Sequence, residues 1–177
     1  MQSKVLIFAL LLSVASCVPV QDVSPSDTVL EIFSRLCVTM LPEHGDSARQ
    51  PQPFPVELVM TPDLTTYQRG QSILVTLRGR TNFEFTGFLI QARQPGSTVP
   101  IGVWAAGALG TVVGCTDPQP DFSGDDTAAH QTGSIRNVQE LVWTAPNTPG
   151  TYRLELTIVE RFGIYWMDQF SHVFNVV

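Results

Sequence analysis

Cys37 and Cys115 could ligate a metal, react as thiols or close a disulfide, and the compartment decides among these. An oxidising one selects the disulfide. Closing that loop would remove about 4.5 kcal/mol of unfolded-state entropy in the simplest chain treatment. His44, His130 and His172 also invite a metal, but they lie far apart and lack the His-x-His or His-Glu-x-x-His spacing that presets a site. His44 and His130 are expected to fasten loops by hydrogen bonds, and no metal or other cofactor is expected. Asp117, Asp121, Asp125 and Asp126, with Gly124, gather oxygen ligands that could hold calcium, yet their spacing is not that of an EF-hand. The expectation is a solvated acidic loop, with Phe122 either a contact residue or tucked beneath it. Trp104, Trp143, Trp166, Tyr152 and Tyr165 could line a stacking surface, but Trp143 and Tyr152 fall on inward faces and belong in the core. That leaves Trp166 to follow. No nucleophile sits beside a base, and neither a Gly-x-Ser-x-Gly turn nor a phosphate-binding glycine loop occurs. An enzyme is not expected, although scattered Asp and His can converge in space.

The compartment is read from the first 17 residues. Lys4 lies in a short basic region, Val5 to Leu12 is apolar, and Ser13, Ala15 and Ser16 supply a cleavage site. Residues 1–17 are expected to be a signal peptide and the protein secreted. The apolar stretch is too short to span a bilayer, and no later segment approaches the roughly 20 apolar residues a membrane helix needs. Cleavage after Cys17 leaves Cys37 and Cys115 as an even pair; cleavage before it resembles a bacterial lipoprotein signal, which would keep and acylate Cys17. Lys4 is the only lysine, so the mature chain sets nine arginines against sixteen acids. Strong non-specific binding to nucleic acid or to an anionic membrane is disfavoured for the whole chain, while local arginine clusters remain open to phosphate or sulfate.

These residues must be positioned by strands. Charged residues make up only 15% of the chain, against 13 glycines and 13 prolines, which suits short strands joined by turns. Gly87 to Arg93 is a nearly unbroken apolar run bounded by turn residues, and it reads as the central strand. In Thr151 to Val159, Tyr152, Leu154, Leu156 and Ile158 share one face opposite Arg153, Glu155 and Thr157. Val56 to Met60, Ile73 to Leu77, Val99 to Trp104, Val138 to Trp143 and His172 to Val177 complete seven or eight strands. The pattern implies an all-β, immunoglobulin-like antiparallel β-sandwich. A short helix is expected before Cys37, where Thr28 and Glu31 form a capping box and Val29, Ile32, Phe33 and Leu36 fall at helical spacing.

If Ile73, Val75 and Leu77 face the core, parity turns Arg78 outward, and Gly79 lets Arg80 join it. Paired as a hairpin with Gly87 to Arg93, this strand would put Arg93 at the far end, roughly 15 to 20 Å away. Glu84 is the acid nearest in sequence. Arg78 and Arg80 are therefore candidates for holding an anionic ligand by forked hydrogen bonds, against the plainer reading of two solvated arginines paired with acids elsewhere.

Several stretches together, Cys37-Val38-Thr39-Met40-Leu41-Pro42-Glu43-His44, Pro51-Gln52-Pro53-Phe54-Pro55, Gly87-Phe88-Leu89-Ile90-Gln91-Ala92-Arg93, Cys115, His130 and Trp143-Thr144-Ala145-Pro146, resemble the reeler domain. That module opens reelin and spondin-type matrix proteins. The resemblance covers 37–177, leaving 18–36 as a lead-in, and implies a variant immunoglobulin-like sandwich. One such domain alone resembles the small secreted defence proteins of invertebrates, which implies innate immunity, an antimicrobial role and microbial surface glycolipids or polysaccharides as partners. A matrix or cell-adhesion module is the alternative. The chain departs from larger members in having no second cysteine pair and a helical stretch before Cys37.

Overall fold

Alternation in the longest strand sets the frame. The computed structural model describes residues 29–42, 47–116 and 124–177, without the side chains of 29–33. The signal segment and the Thr28 cap lie outside the described residues. Strand β9 (Gly150–Arg161) turns Tyr152, Leu154, Leu156 and Ile158 into the core. Beside it β4 (Gly87–Arg93) runs antiparallel from Gly87 opposite Val159 to Arg93 opposite Arg153, and every residue of β4 is buried. The large sheet continues outward from β4 through β7 (Thr127–His130) to β6 (Gly110–Val113). On the other side β9 meets β11 (Phe174–Val176) and, through it, β2 (Thr66–Tyr67), while β10 (Ile164–Phe170) also pairs with β9. The β11–β2 pairing is parallel.

The smaller sheet runs β1 (Val56–Thr61), β3 (Ser72–Gly79), β8 (Val138–Thr144), β5 (Val103–Ala105), all antiparallel. Between the sheets Ile73, Val75 and Leu77 meet Phe88, Ile90, Leu141 and Trp143, all buried. Trp143 meets Phe174 edge-on at 5.5 Å between ring centres. Burying apolar side chains of this size stabilises by about 1.5 to 3 kcal/mol each. The result is an antiparallel β-sandwich.

Three sequence expectations change here. Eleven strands form among the described residues, because β2, β6, β7 and β10 add to the seven that the sequence pattern marked. The strand expected over Val99 to Trp104 is confined to Val103–Ala105, since Pro100 interrupts it and Gly102 takes a φ of +83°. No β3–β4 hairpin exists: β3 pairs with β1 and β8, and β4 belongs to the other sheet. The turn Arg80–Asn82, with Thr81 and Asn82 in the left-handed region, carries the chain across. The face of β9 opposite the core carries buried polar side chains, Glu155 and Thr157, as β4 does with Gln91 and Arg93. A helix covers it. Helix α1 (Val29–Thr39) includes Cys37.

Candidate functional site

Helix α1 ends where its last carbonyls need donors from outside the helix. Met40 follows at φ 56°, closing the helix in the left-handed region. The Cys37 carbonyl accepts from Arg93 Nη2 at 2.6 Å and from Gln91 Nε2 at 3.3 Å. The Val38 carbonyl accepts from Arg93 Nη1 at 3.3 Å, and the Met40 carbonyl from the Thr157 hydroxyl at 2.9 Å. Cys37 is also bonded to Cys115, with 5.3 Å between their Cα atoms. A cation beside a helix C-terminus is further favoured by the helix dipole.

Arg93 is itself held. Its Nε donates to Gln91 Oε1 at 2.6 Å, and its Nη1 lies 3.3 Å from Glu155 Oε2. Arg153 pairs with the other Glu155 oxygen at 2.8 Å, its guanidinium 3.9 Å from the centre of the Phe170 ring. Burial pushes the Arg93 pKa down, and Glu155 works in the opposite direction. This network was missed in the sequence because strand parity says only which face Gln91, Arg93 and Glu155 take, not what lies over it. The signal available was two polar residues ending an apolar run.

On the Cys115 side of the disulfide, Asp126 Oδ1 accepts from the Cys115 amide at 2.8 Å and Oδ2 from the Thr116 amide at 2.8 Å. Its oxygens therefore fasten backbone beside Cys115. Asp117, Asp121 and Phe122 lie outside the described residues, as does His44. Among the described residues no cluster of three His, Cys, Asp or Glu forms a metal site. His130 ends a strand rather than lying in a loop, with Nδ1 3.2 Å from both the amide nitrogen and the carbonyl oxygen of Phe88. Burial lowers its pKa below the ordinary value. His172 stands apart, its Nδ1 3.4 Å from Asp63 Oδ1.

The aromatic residues do not assemble into a stacking surface. Trp104, Trp143, Tyr152 and Tyr165 are buried. Trp166 is half-buried, packs edge-on against Phe83 at 5.4 Å and donates from Nε1 to the Pro51 carbonyl at 3.2 Å. Trp104 Nε1 has no hydrogen-bond partner among the described residues.

Arg78 and Arg80 are both exposed at the end of β3. No hydrogen bond or ion pair engages either side chain among the described residues. The neighbour that sequence order hides is Glu57, directly across from Arg78 on β1. Residues opposite each other in an antiparallel pair share a face, so Glu57 tempers the field around Arg78. Val138 flanks Arg78 on the other side. A separate cleft along β1 is lined by Glu57, Asp63, Phe170 and His172, and its acids disfavour an anionic ligand there.

Three comparisons bear on this arrangement. The family model described as "Reeler domain" matches residues 35–177. The "Putative defense protein 3" of Antheraea mylitta is 28% identical over 165 residues, which cover 92% of this chain and 92% of that protein. The "Putative ferric-chelate reductase 1" of Danio rerio is 30% identical over 138 residues, covering 77% of this chain but only 23% of that protein. Among solved structures, the human F-spondin reeler domain superposes with a TM-score of 0.54 at 20% identity, covering 73% of this chain and 92% of that one.

Proposed function

This chain belongs to the reeler domain family, and from that premise we propose a secreted, non-catalytic defence protein that binds anionic groups of microbial surface glycolipids or polysaccharides. The observation that carries the binding site is the exposed pair Arg78 and Arg80, neither of which is engaged by another described side chain. Two forked guanidinium groups suit phosphate or sulfate oxygens better than point charges would. The defence role draws on the relative of matching length, since 92% of each chain is covered. The reductase gives less support, because this chain spans under a quarter of it. Among the described residues no helix is long and apolar enough to cross a membrane.

A matrix or cell-adhesion module is the second reading, favoured by the F-spondin likeness, which at 20% identity supports the fold alone. Induction of expression by bacterial challenge separates the two. The binding site is tested with Arg78→Ala combined with Arg80→Ala, measuring affinity for lipopolysaccharide at two salt concentrations. Lost affinity in the folded variant, with wild-type binding that weakens as salt rises, is the expected result. Unchanged affinity removes the site.

A further inference from the structure

The end of the sandwich that carries Arg78 and Arg80 also displays apolar side chains on separate elements. Ile135 is 68% exposed, Leu109 46% and Val138 43%. Backbone bonds place them together. Gly79 N donates to the Asn137 carbonyl, Phe85 and Arg136 exchange both backbone bonds, and the Gln131 amide donates to the Leu109 carbonyl. Val138 stands directly across from Arg78.

Leu109 is not a frayed tip. It sits at φ 64°, a region unfavourable to a leucine, and its carbonyl also accepts from Arg136 Nη1 at 3.0 Å. Gln139 Nε2 holds the same loop through the carbonyls of Ala106 and Ala108, at 3.2 and 3.1 Å. Buried polar side chains thus fix a loop whose leucine points at solvent. Exposed apolar residues scattered singly need no explanation, but three gathered beside two unengaged arginines do.

We propose that this end is a lipid-contacting surface, with Leu109, Ile135 and Val138 entering the acyl boundary of an anionic lipid layer while Arg78 and Arg80 bind its phosphates. The proposal rests on the anionic-site reading above and extends it from headgroup to acyl chain. The two arginines argue for this occupant. Neither Arg78 nor Arg80 has a side-chain partner among the described residues, so both can reach lipid phosphates, and in a protein that is acidic overall such binding must be strongly salt-dependent. Apolar insertion beside basic residues is the combination by which proteins hold an interface without spanning it.

The test uses vesicles of phosphatidylglycerol and phosphatidylcholine, vesicles of phosphatidylcholine alone, and a soluble, fully deacylated phosphorylated lipopolysaccharide core. Leu109→Asn with Ile135→Asn removes the apolar contacts, and asparagine tolerates the left-handed backbone at 109. The expected result is binding to phosphatidylglycerol vesicles weakened by about tenfold or more, with binding to the deacylated core unchanged. Ile135→Trp in the otherwise native chain should shift its emission to the blue on those vesicles and be quenched by brominated acyl chains. Vesicle binding unaffected by the Asn pair, or an Ile135→Trp emission unmoved by bound vesicles, overturns the lipid surface while leaving the anionic site standing. A wild-type protein that binds neither vesicles nor core overturns both.

Discussion

Arg93 on the large sheet donates through Nη2 to the carbonyl of Cys37, the same residue that the disulfide ties to Cys115. One tether is covalent and one is a hydrogen bond from a charged donor, and both act at the end of α1. Arg93→Ala would take the donor from the Val38 carbonyl, leave the Cys37 carbonyl with Gln91 alone and leave Glu155 with Arg153 alone. A loss of about 3 kcal/mol is expected, at the low end for breaking a buried pair because Arg153 remains. Urea unfolding measures it. A loss below about 1 kcal/mol, the size of one ordinary hydrogen bond, would mean the helix end is held mainly by other contacts.

Removing the covalent tether should act differently. Cys37→Ala with Cys115→Ala is expected to cost about 2 to 5 kcal/mol, most of it through the unfolded chain. Arg93, Gln91 and Thr157 would still hold the helix end. Amide exchange around Leu36 to Met40 should therefore stay no faster than the lowered global stability requires. Thiol titration of the native protein should find neither sulfhydryl reactive. Two reactive thiols would contradict the bond, and one would point to a retained Cys17.

Local pattern made β4 and the inward face of β9 legible, since Gly87–Arg93 has the same bounds in sequence and structure. What local pattern could not supply was the number of layers. Parity says only which face Gln91, Arg93 and Glu155 take, and their burial depends on what lies over that face, including the end of α1, whose carbonyls meet Gln91 and Arg93. Strand partners were likewise out of reach, because adjacency along the chain favours a β3–β4 hairpin that the left-handed Thr81 and Asn82 redirect. For the same reason sequence order shows only Glu84 near Arg78, while its cross-strand neighbour Glu57 comes from 21 residues earlier.

Gly102 tests a close approach between a loop and the core. At φ +83° an added Cβ would lie 2.4 Å from Trp143 Nε1 and 2.7 Å from the Thr144 carbonyl oxygen. Trp143 Nε1 donates to the Ile101 carbonyl at 3.1 Å, so the clash falls on a bond already made. Gly102→Ala is expected to lose about 2 to 4 kcal/mol from backbone strain and overpacking together. Gly96→Ala, at φ +86° with nothing within 4 Å, should show the strain alone. Equal losses in the two variants would count against the close approach.

Lowering the pH should weaken the fold partly through His130. Burial holds its folded pKa below the ordinary value of 6.5, so between the two values the unfolded chain binds more protons than the native one. Stability then rises with pH across that window. The contribution is fully present above the unfolded pKa and is lost as pH falls through it toward the folded pKa. Other groups also titrate as pH falls, so wild type alone does not isolate the histidine. His130→Gln does, because the amide carries a donor and an acceptor for Phe88 but no titrating proton. Unfolding free energies measured from pH 7.5 to 5 should fall less steeply in the variant. Identical slopes would place the acid sensitivity on other groups.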